Sequence, residues 1–167
     1  VSRVDQFRTL FKANGTNFDD TTRLACQHAL EDEEMFDRFA FVLKNILPQV
    51  DRVCATYLDE DNRLRLYQIE ERPPFRGSFR GTFTRYKPEG QALAAYVDRD
   101  DLVVVNDLAS ESGSLMQKMH DKGIRSSVHV PLQYEGFRGT LNLWSLDENA
   151  FPPEAVEVIR QVVSSIE

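Results

Sequence analysis

"GIRSSVHVPLQYEGFRGTLNLWS", residues 123–145, is the stretch whose reading decides the fold. Two alternating runs flank "YEG", a polar reversal, so the segment is expected to be an antiparallel hairpin. Successive strand side chains point to opposite faces. If Val128, Val130, Leu132, Leu141 and Leu143 meet a helical core, then Ser127, His129, Asn142 and Trp144 look the other way. An aliphatic hairpin thus carries an imidazole, a hydroxyl, an amide and an indole on its second face.

Working outward, "RVCATYL" and "RLRLYQI" read as strands around the polar turn "DEDN", and "GSFRGTFTRY" reads as a third strand weakened by its glycines. "LVVVNDL" is a buried strand between two short helices, "PEGQALAAYV" and "SLMQKMHDKG", the second stopped by Gly123. Before the strands, Val4, Phe7, Leu10 and Phe11 suggest a first helix ending at Asn14-Gly15, and Phe18-Asp19-Asp20 opens a second through about Ala29. Met35, Phe36, Phe39, Val42, Leu43, Ile46 and Leu47 recur at one-face helical spacing until Pro48 stops them. Pro152-Pro153-Glu154 begins the last helix. The order α-α-α-β-β-β-α-β-α-β-β-α predicts an α+β domain: one antiparallel sheet of about six strands with helices on both sides.

The 167 residues suit one domain with a substantial core. Acidic residues number 27 against 20 basic, a net charge of -7, which disfavours a nucleic-acid partner. No apolar run approaches the roughly 20 residues of a membrane span, so no membrane association is expected. Cys26 and Cys54 form neither a zinc spacing nor a disulfide framework, and a reducing cytoplasm is the default expectation. The chain begins at Val1, and the apolar stripe of the last helix runs to its final residues without a cap, the pattern expected of a fragment. Ile159, Val162 and Ile166 also fit a coiled-coil seam, so the terminal helices are expected either to pair in a homodimer, to pack on their own sheet, or both.

The order of elements and three strings, "LVVVNDLAS", "GIRSSVHVPLQYEGFRGTLNLWS" and Phe151 before a terminal helix, resemble the GAF domain family, small-molecule sensing modules of signalling proteins. The resemblance covers about residues 32–167 and leaves residues 1–31 as an N-terminal helical extension. It implies a GAF/profilin-like α/β/α layering: terminal helices bundled on one sheet face and a ligand cavity under the short middle helices and loops on the other.

On that reading His129, Trp144, Ser127 and Asn142 face the cavity, while Tyr96 and Asp107 from the roofing segments close it. Cys54, Thr56 and Tyr57 lie on the first strand, whose facing the pattern leaves open. Arg85 is the arginine of the basic segment "RPPFRGSFRGTFTRYK" nearest the roof, although the alternating arginines of that segment also suit the protection of an edge strand. His129 is either a strand histidine bonded to a neighbour, the commoner role, or a ligand-contacting or haem-coordinating group. Trp144 suits a cavity wall. Asn142 and Asp107 also suit plain backbone bonding. Asp59, Glu60, Asp61 and Asn62 lack the glycine and terminal glutamate of a calcium loop and read as a solvated turn. No metal is expected.

Departures from the family's subtypes narrow the function. Its cyclic-nucleotide binders carry Asn-Lys after the last strand, then Phe, then Asp-Glu. In "SLDENAFPPEAVE" only Phe151 matches, which argues against a cyclic-nucleotide ligand. Bilin carriers of this fold need a cysteine in the roof region and its free-methionine-sulfoxide reductases need cysteines around the cavity, and neither Cys26 nor Cys54 is expected to meet those requirements. With no nucleophile–base motif elsewhere, the expectation is a non-catalytic sensory domain for an unidentified small effector. The alternative is a structural dimerisation module whose cavity is filled by side chains such as Phe79, Phe83, Tyr96 and Trp144.

Overall fold

The computed structural model describes residues 2–14, 43–71, 85–111, 113–134 and 137–164, with backbone alone at 10–14, 65–71, 85–86, 134 and 137. Helix α1 spans Arg3–Asn14. The Ser2 hydroxyl accepts from the Asp5 amide at 3.1 Å and donates to the Asp5 carboxylate at 2.7 Å, a reciprocal cap that fixes where the helix starts. The expected second helix and most of the third lie outside the described residues. Residues 43–46 are helical, and the chain then turns at Pro48 into the sheet.

The strands are β1 (Arg52–Leu58), β2 (Leu64–Glu71), β3 (Arg85–Tyr86), β4 (Val103–Val105), β5 (Ser126–Tyr134) and β6 (Phe137–Ser145). They form one antiparallel sheet in the order β3-β2-β1-β6-β5-β4. Four long strands carry it, and the two- and three-residue strands β3 and β4 flank them. Most of the expected third strand lies outside the described residues. "LVVVNDL" is a strand only over its valines, because Asp107 caps a 3-10 turn at Leu108–Ser110. Helix α2 (Ala92–Tyr96) is shorter than the periodicity suggests, since Pro88, Glu89 and Gly90 make a turn ahead of it. Helix α3 covers Ser114–Asp121 and is followed by Gly123 at φ +98°, and α4 covers Pro153–Ser164.

Register assigns the faces. Val53, Ala55 and Tyr57 of β1 stand opposite Leu143, Leu141 and Gly139 of β6, and Arg52, Cys54 and Thr56 stand opposite Trp144, Asn142 and Thr140. Directly paired residues share a face. The first set joins a core in which Val53, Val128, Val130, Leu141 and Leu143 pack with Phe7 of α1, Leu43, Leu47 and the buried stripe of α4. The second set joins another core, in which Cys54 and Trp144 pack with Leu93 and Tyr96 of α2 and with Leu115, Met116 and Met119 of α3. Ile159 and Val162 are fully buried in the first core, so these two seam positions pack against the chain's own sheet.

Gly139 marks the tightest place in the sheet. A Cβ there would lie 2.0 Å from the Thr56 carbonyl oxygen and 2.8 Å from Tyr57 Cα. The β1–β6 pairing closes only around a residue without a side chain.

Candidate functional site

Ser127, His129, Asn142 and Trp144 share the sheet face that meets α2 and α3, and all four are fully buried. A buried imidazole, hydroxyl or amide is costly unless hydrogen-bonded. Here one chain of bonds provides for them. His129 Nδ1 lies 2.7 Å from Asn142 Oδ1, and His129 Nε2 lies 2.7 Å from Ser127 Oγ. An amide oxygen only accepts, so the imidazole carries its proton on Nδ1 and its Nε2 accepts from the serine.

The remaining hydrogens follow. Thr140 Oγ1 donates to Asn142 Oδ1 at 2.9 Å, and Asn142 Nδ2 donates to Thr56 Oγ1 at 3.3 Å. The 2.5 Å contact between the two threonine hydroxyls is therefore a donation from Thr56 to Thr140, which closes a ring of three bonds through the Asn142 amide. Trp144 Nε1 donates to Cys54 Sγ at 2.9 Å. Burial holds His129 neutral and lowers its pKa from 6.5 to about 4, against the opposing effect of its bond to Asn142. Burial likewise raises the Cys54 thiol above its ordinary value, although the Arg52 charge and the bonds from Trp144 and Asn142 pull the other way. Cys54 is therefore a protonated thiol, not an attacking thiolate.

Aromatic and charged groups complete the enclosure. The Tyr96 ring stacks on His129 with centroids 5.1 Å apart and planes at 30°, and Trp144 meets the same imidazole edge-on at 5.0 Å. The Tyr96 hydroxyl donates to Glu111 Oε2 at 2.6 Å. Burial and that carboxylate raise the phenol's pKa well above its usual value, so it stays a neutral donor. Arg52 is fully buried on this face opposite Trp144, and its Nη1 donates to Met119 Sδ at 3.0 Å.

Sequence reasoning and geometry part at two residues, Tyr57 and Asp107. Tyr57 alternates with Thr56 and so lies on the other sheet face, the one that carries Val53 and Ala55. Asp107 is exposed and accepts from the Ala109 amide at 3.0 Å, capping the 3-10 turn instead of closing the site. Arg85 stands opposite Arg65 at the sheet's far edge, and its side chain lies outside the described residues, as do Phe79, Phe83 and Cys26. Cys54 and Thr56, whose facing the pattern left open, belong to the site, so the expectation that no cysteine lies around it fails at Cys54. Thr140, Arg52 and Glu111 were missed. Alternation from Asn142 and Trp144 could have placed Thr140, whereas nothing local distinguishes a buried arginine or a latching glutamate.

The Asp59–Asn62 turn is the solvated turn its composition suggests, with Asp59 Oδ1 accepting from the Asp61 and Arg63 amides. Among the described residues no cluster of three metal-ligating side chains exists, and no helix is long and apolar enough to cross a membrane.

The family model described as GAF domain matches residues 15–167. The chain belongs to the GAF domain family. Solved structures agree on the fold. The GAF domain of phosphoenolpyruvate-protein phosphotransferase from Acinetobacter is 14% identical, with a TM-score of 0.63 over 87% of this chain and 88% of that one. Reduced fRMsr of Staphylococcus aureus is 18% identical, with a TM-score of 0.66 over 88% and 91%. The type II free methionine-R-sulfoxide reductase of Thermoplasma acidophilum is 18% identical, with a TM-score of 0.53 over 88% and 90%. No curated protein matches the chain. GAF domains are typically sensory parts of signalling proteins, and the fold also carries enzymes, so the fold alone does not assign the function of this one.

Proposed function

We propose that this GAF domain is a non-catalytic sensory module that takes up a small molecule on the His129–Trp144 face and passes the change to α1 and α4, and through them to an output domain. One observation carries the reading. A polar chain from Ser127 to Trp144 lies beneath two short helices, and Tyr96 at the end of the first of them is bonded to Glu111. A five-residue helix and an eight-residue helix are inexpensive to move compared with the long strands beneath them. An effector that prefers the opened arrangement about 100-fold shifts the balance by roughly 2.7 kcal/mol. Absence of catalysis is supported by Cys54, which is buried, protonated and bonded to the Trp144 indole.

A second reading has its own support. Tyr96 already covers His129, and both imidazole nitrogens are bonded within the chain, as expected of a closed module that serves dimerisation through its terminal helices. Native mass spectrometry and a thermal-shift screen of small molecules separate the two. The sensory reading expects a retained molecule or a rise of several degrees in Tm with a specific compound. A stable dimer that neither retains nor responds to any compound would leave only the closed module.

A further inference from the structure

We propose that the Tyr96 phenol is an internal stand-in for the effector, and that the space it fills accepts a planar aromatic molecule of the phenol class with one hydrogen-bond donor. This rests on the sensory reading and names its ligand class.

The geometry around the ring sets the guest's shape and polarity. Tyr96 lies flat on His129 at 5.1 Å, and Trp144 meets the same imidazole edge-on at 5.0 Å, so the ring rests on an aromatic floor that favours a flat guest. That floor offers no free polar atom, because Ser127 and Asn142 occupy both nitrogens of the neutral imidazole. Leu93, Leu115 and Met116 belong to the same buried apolar cluster as Tyr96. The single polar demand is at the rim, where half-buried Glu111 accepts the phenolic hydrogen at 2.6 Å. A carboxylate there welcomes a donor. A guest carboxylate would meet it oxygen to oxygen, and a bare hydrocarbon would leave it without the bond.

The phenol is also placed to leave. Tyr96 is the last residue of the five-residue helix α2, whose N-cap, Gln91, makes no capping bond of its own. Gly90, at φ +77° and with nothing within 4 Å of where a Cβ would stand, precedes that cap. The helix is tied to α3 by Gln91, through its amide nitrogen to Ser114 Oγ at 2.9 Å and its amide oxygen to the Leu115 amide at 3.3 Å. Tyr96 can therefore turn out of the slot while α2 stays anchored. While the slot is filled from within, a guest binds with its intrinsic affinity reduced by the fraction of molecules that are open.

The test titrates the full chain with p-cresol, following Tm and the emission of Trp144, the single tryptophan. Toluene and benzoate serve as controls, and the series is repeated in Tyr96→Phe and Tyr96→Ala. Removing the internal competitor is expected to tighten p-cresol binding by at least about tenfold in Tyr96→Ala, and weakening it by a few-fold in Tyr96→Phe. Toluene and benzoate are expected to bind more weakly than p-cresol in each protein. Equal responses to p-cresol and toluene, equal affinity in native and variant chains, or no p-cresol response in either variant would overturn the proposal. Should Tyr96→Ala not fold, Tyr96→Phe decides alone. A different compound that binds without competing with p-cresol overturns this assignment and leaves the sensory reading standing, whereas loss of every ligand response overturns both.

Discussion

Arg3 at the start of α1 sets Nη1 and Nη2 on the two carboxylate oxygens of Asp51, at 2.5 and 2.7 Å, and its Nε reaches Asp147 at 2.9 Å. Asp51 Oδ2 also accepts from the Leu146 amide at 2.8 Å, and the Asp51 amide donates to the Trp144 carbonyl at 2.9 Å. One guanidinium therefore fastens the first helix to the strand end beside the candidate site. Because the two carboxylates hold the proton on Arg3, its pKa lies above its already high ordinary value.

Arg3→Ala leaves the Asp51 carboxylate, only 4% exposed, with one amide donor from the β6 exit. Losing one partner of a buried pair costs about 3–5 kcal/mol, and the 28% exposure of Arg3 moves the expectation to roughly 2–3 kcal/mol. Urea unfolding of Arg3→Ala checks it. Arg8→Ala, which removes only the more exposed pair with Glu154, should cost less than about 1 kcal/mol. Equal losses in the two variants would refute the clamp.

Gly139→Ala tests the close approach of β1 and β6. The added methyl would sit 2.0 Å from a backbone oxygen, and a backbone atom cannot turn aside as a side chain can. The strands must separate, at a cost of about 3 kcal/mol, the upper end of the usual range for overpacked cores. The expected outcome is a large drop in Tm or loss of soluble protein, and a substitution with no effect on Tm would contradict the pairing.

Much of this architecture was legible in local pattern. The β5–β6 alternation sorted Val128 and Leu141 from His129 and Trp144 because period two is a property of the strand itself. It failed where a strand is buried on both faces. Arg52 through Thr56 are all buried, so the polar Arg52 and Thr56 of "RVCATYL" do not mark a solvent side, and whether Thr56 or Tyr57 faces the site was open until register with β6 was known. Asp107 misled because a capping aspartate and a site aspartate look alike in sequence. Tyr96–Glu111 and Arg3–Asp51 depend on approaches across 15 and 48 residues, which composition does not encode.

Cys54 is expected to be inert in the folded chain. Its thiol is fully buried and its pKa is raised, so a disulfide reagent should leave it unmodified in native buffer and label it once denaturant is added, as peptide mass mapping would show. Cys54→Ala should cost about 1–3 kcal/mol, since the Trp144 N–H then has no acceptor in an apolar site. Cys54→Ser, which restores one, should cost less. Rapid native labelling of Cys54 would refute the enclosure.

His129 makes stability depend on pH in a direction that its burial determines. The unfolded chain protonates this imidazole near 6.5, but the folded chain does so only near 4, because burial disfavours the charged ring. Between these values the unfolded state binds the extra proton, so the contribution is complete above about pH 6.5, is lost as pH falls toward 4, and changes little below that. The separation corresponds to roughly 3 kcal/mol for a fully buried group. Carboxylates titrate in the same range, so the measurement is a comparison: urea unfolding of the native chain and of His129→Gln at pH 7 and pH 4.5. The native chain should lose more stability than the variant over that interval, although the variant starts lower for want of the Ser127 and Asn142 bonds. A variant that falls as steeply as the native chain would mean that His129 is charged in the folded state, and the proton order from Ser127 to Asn142 would have to be abandoned.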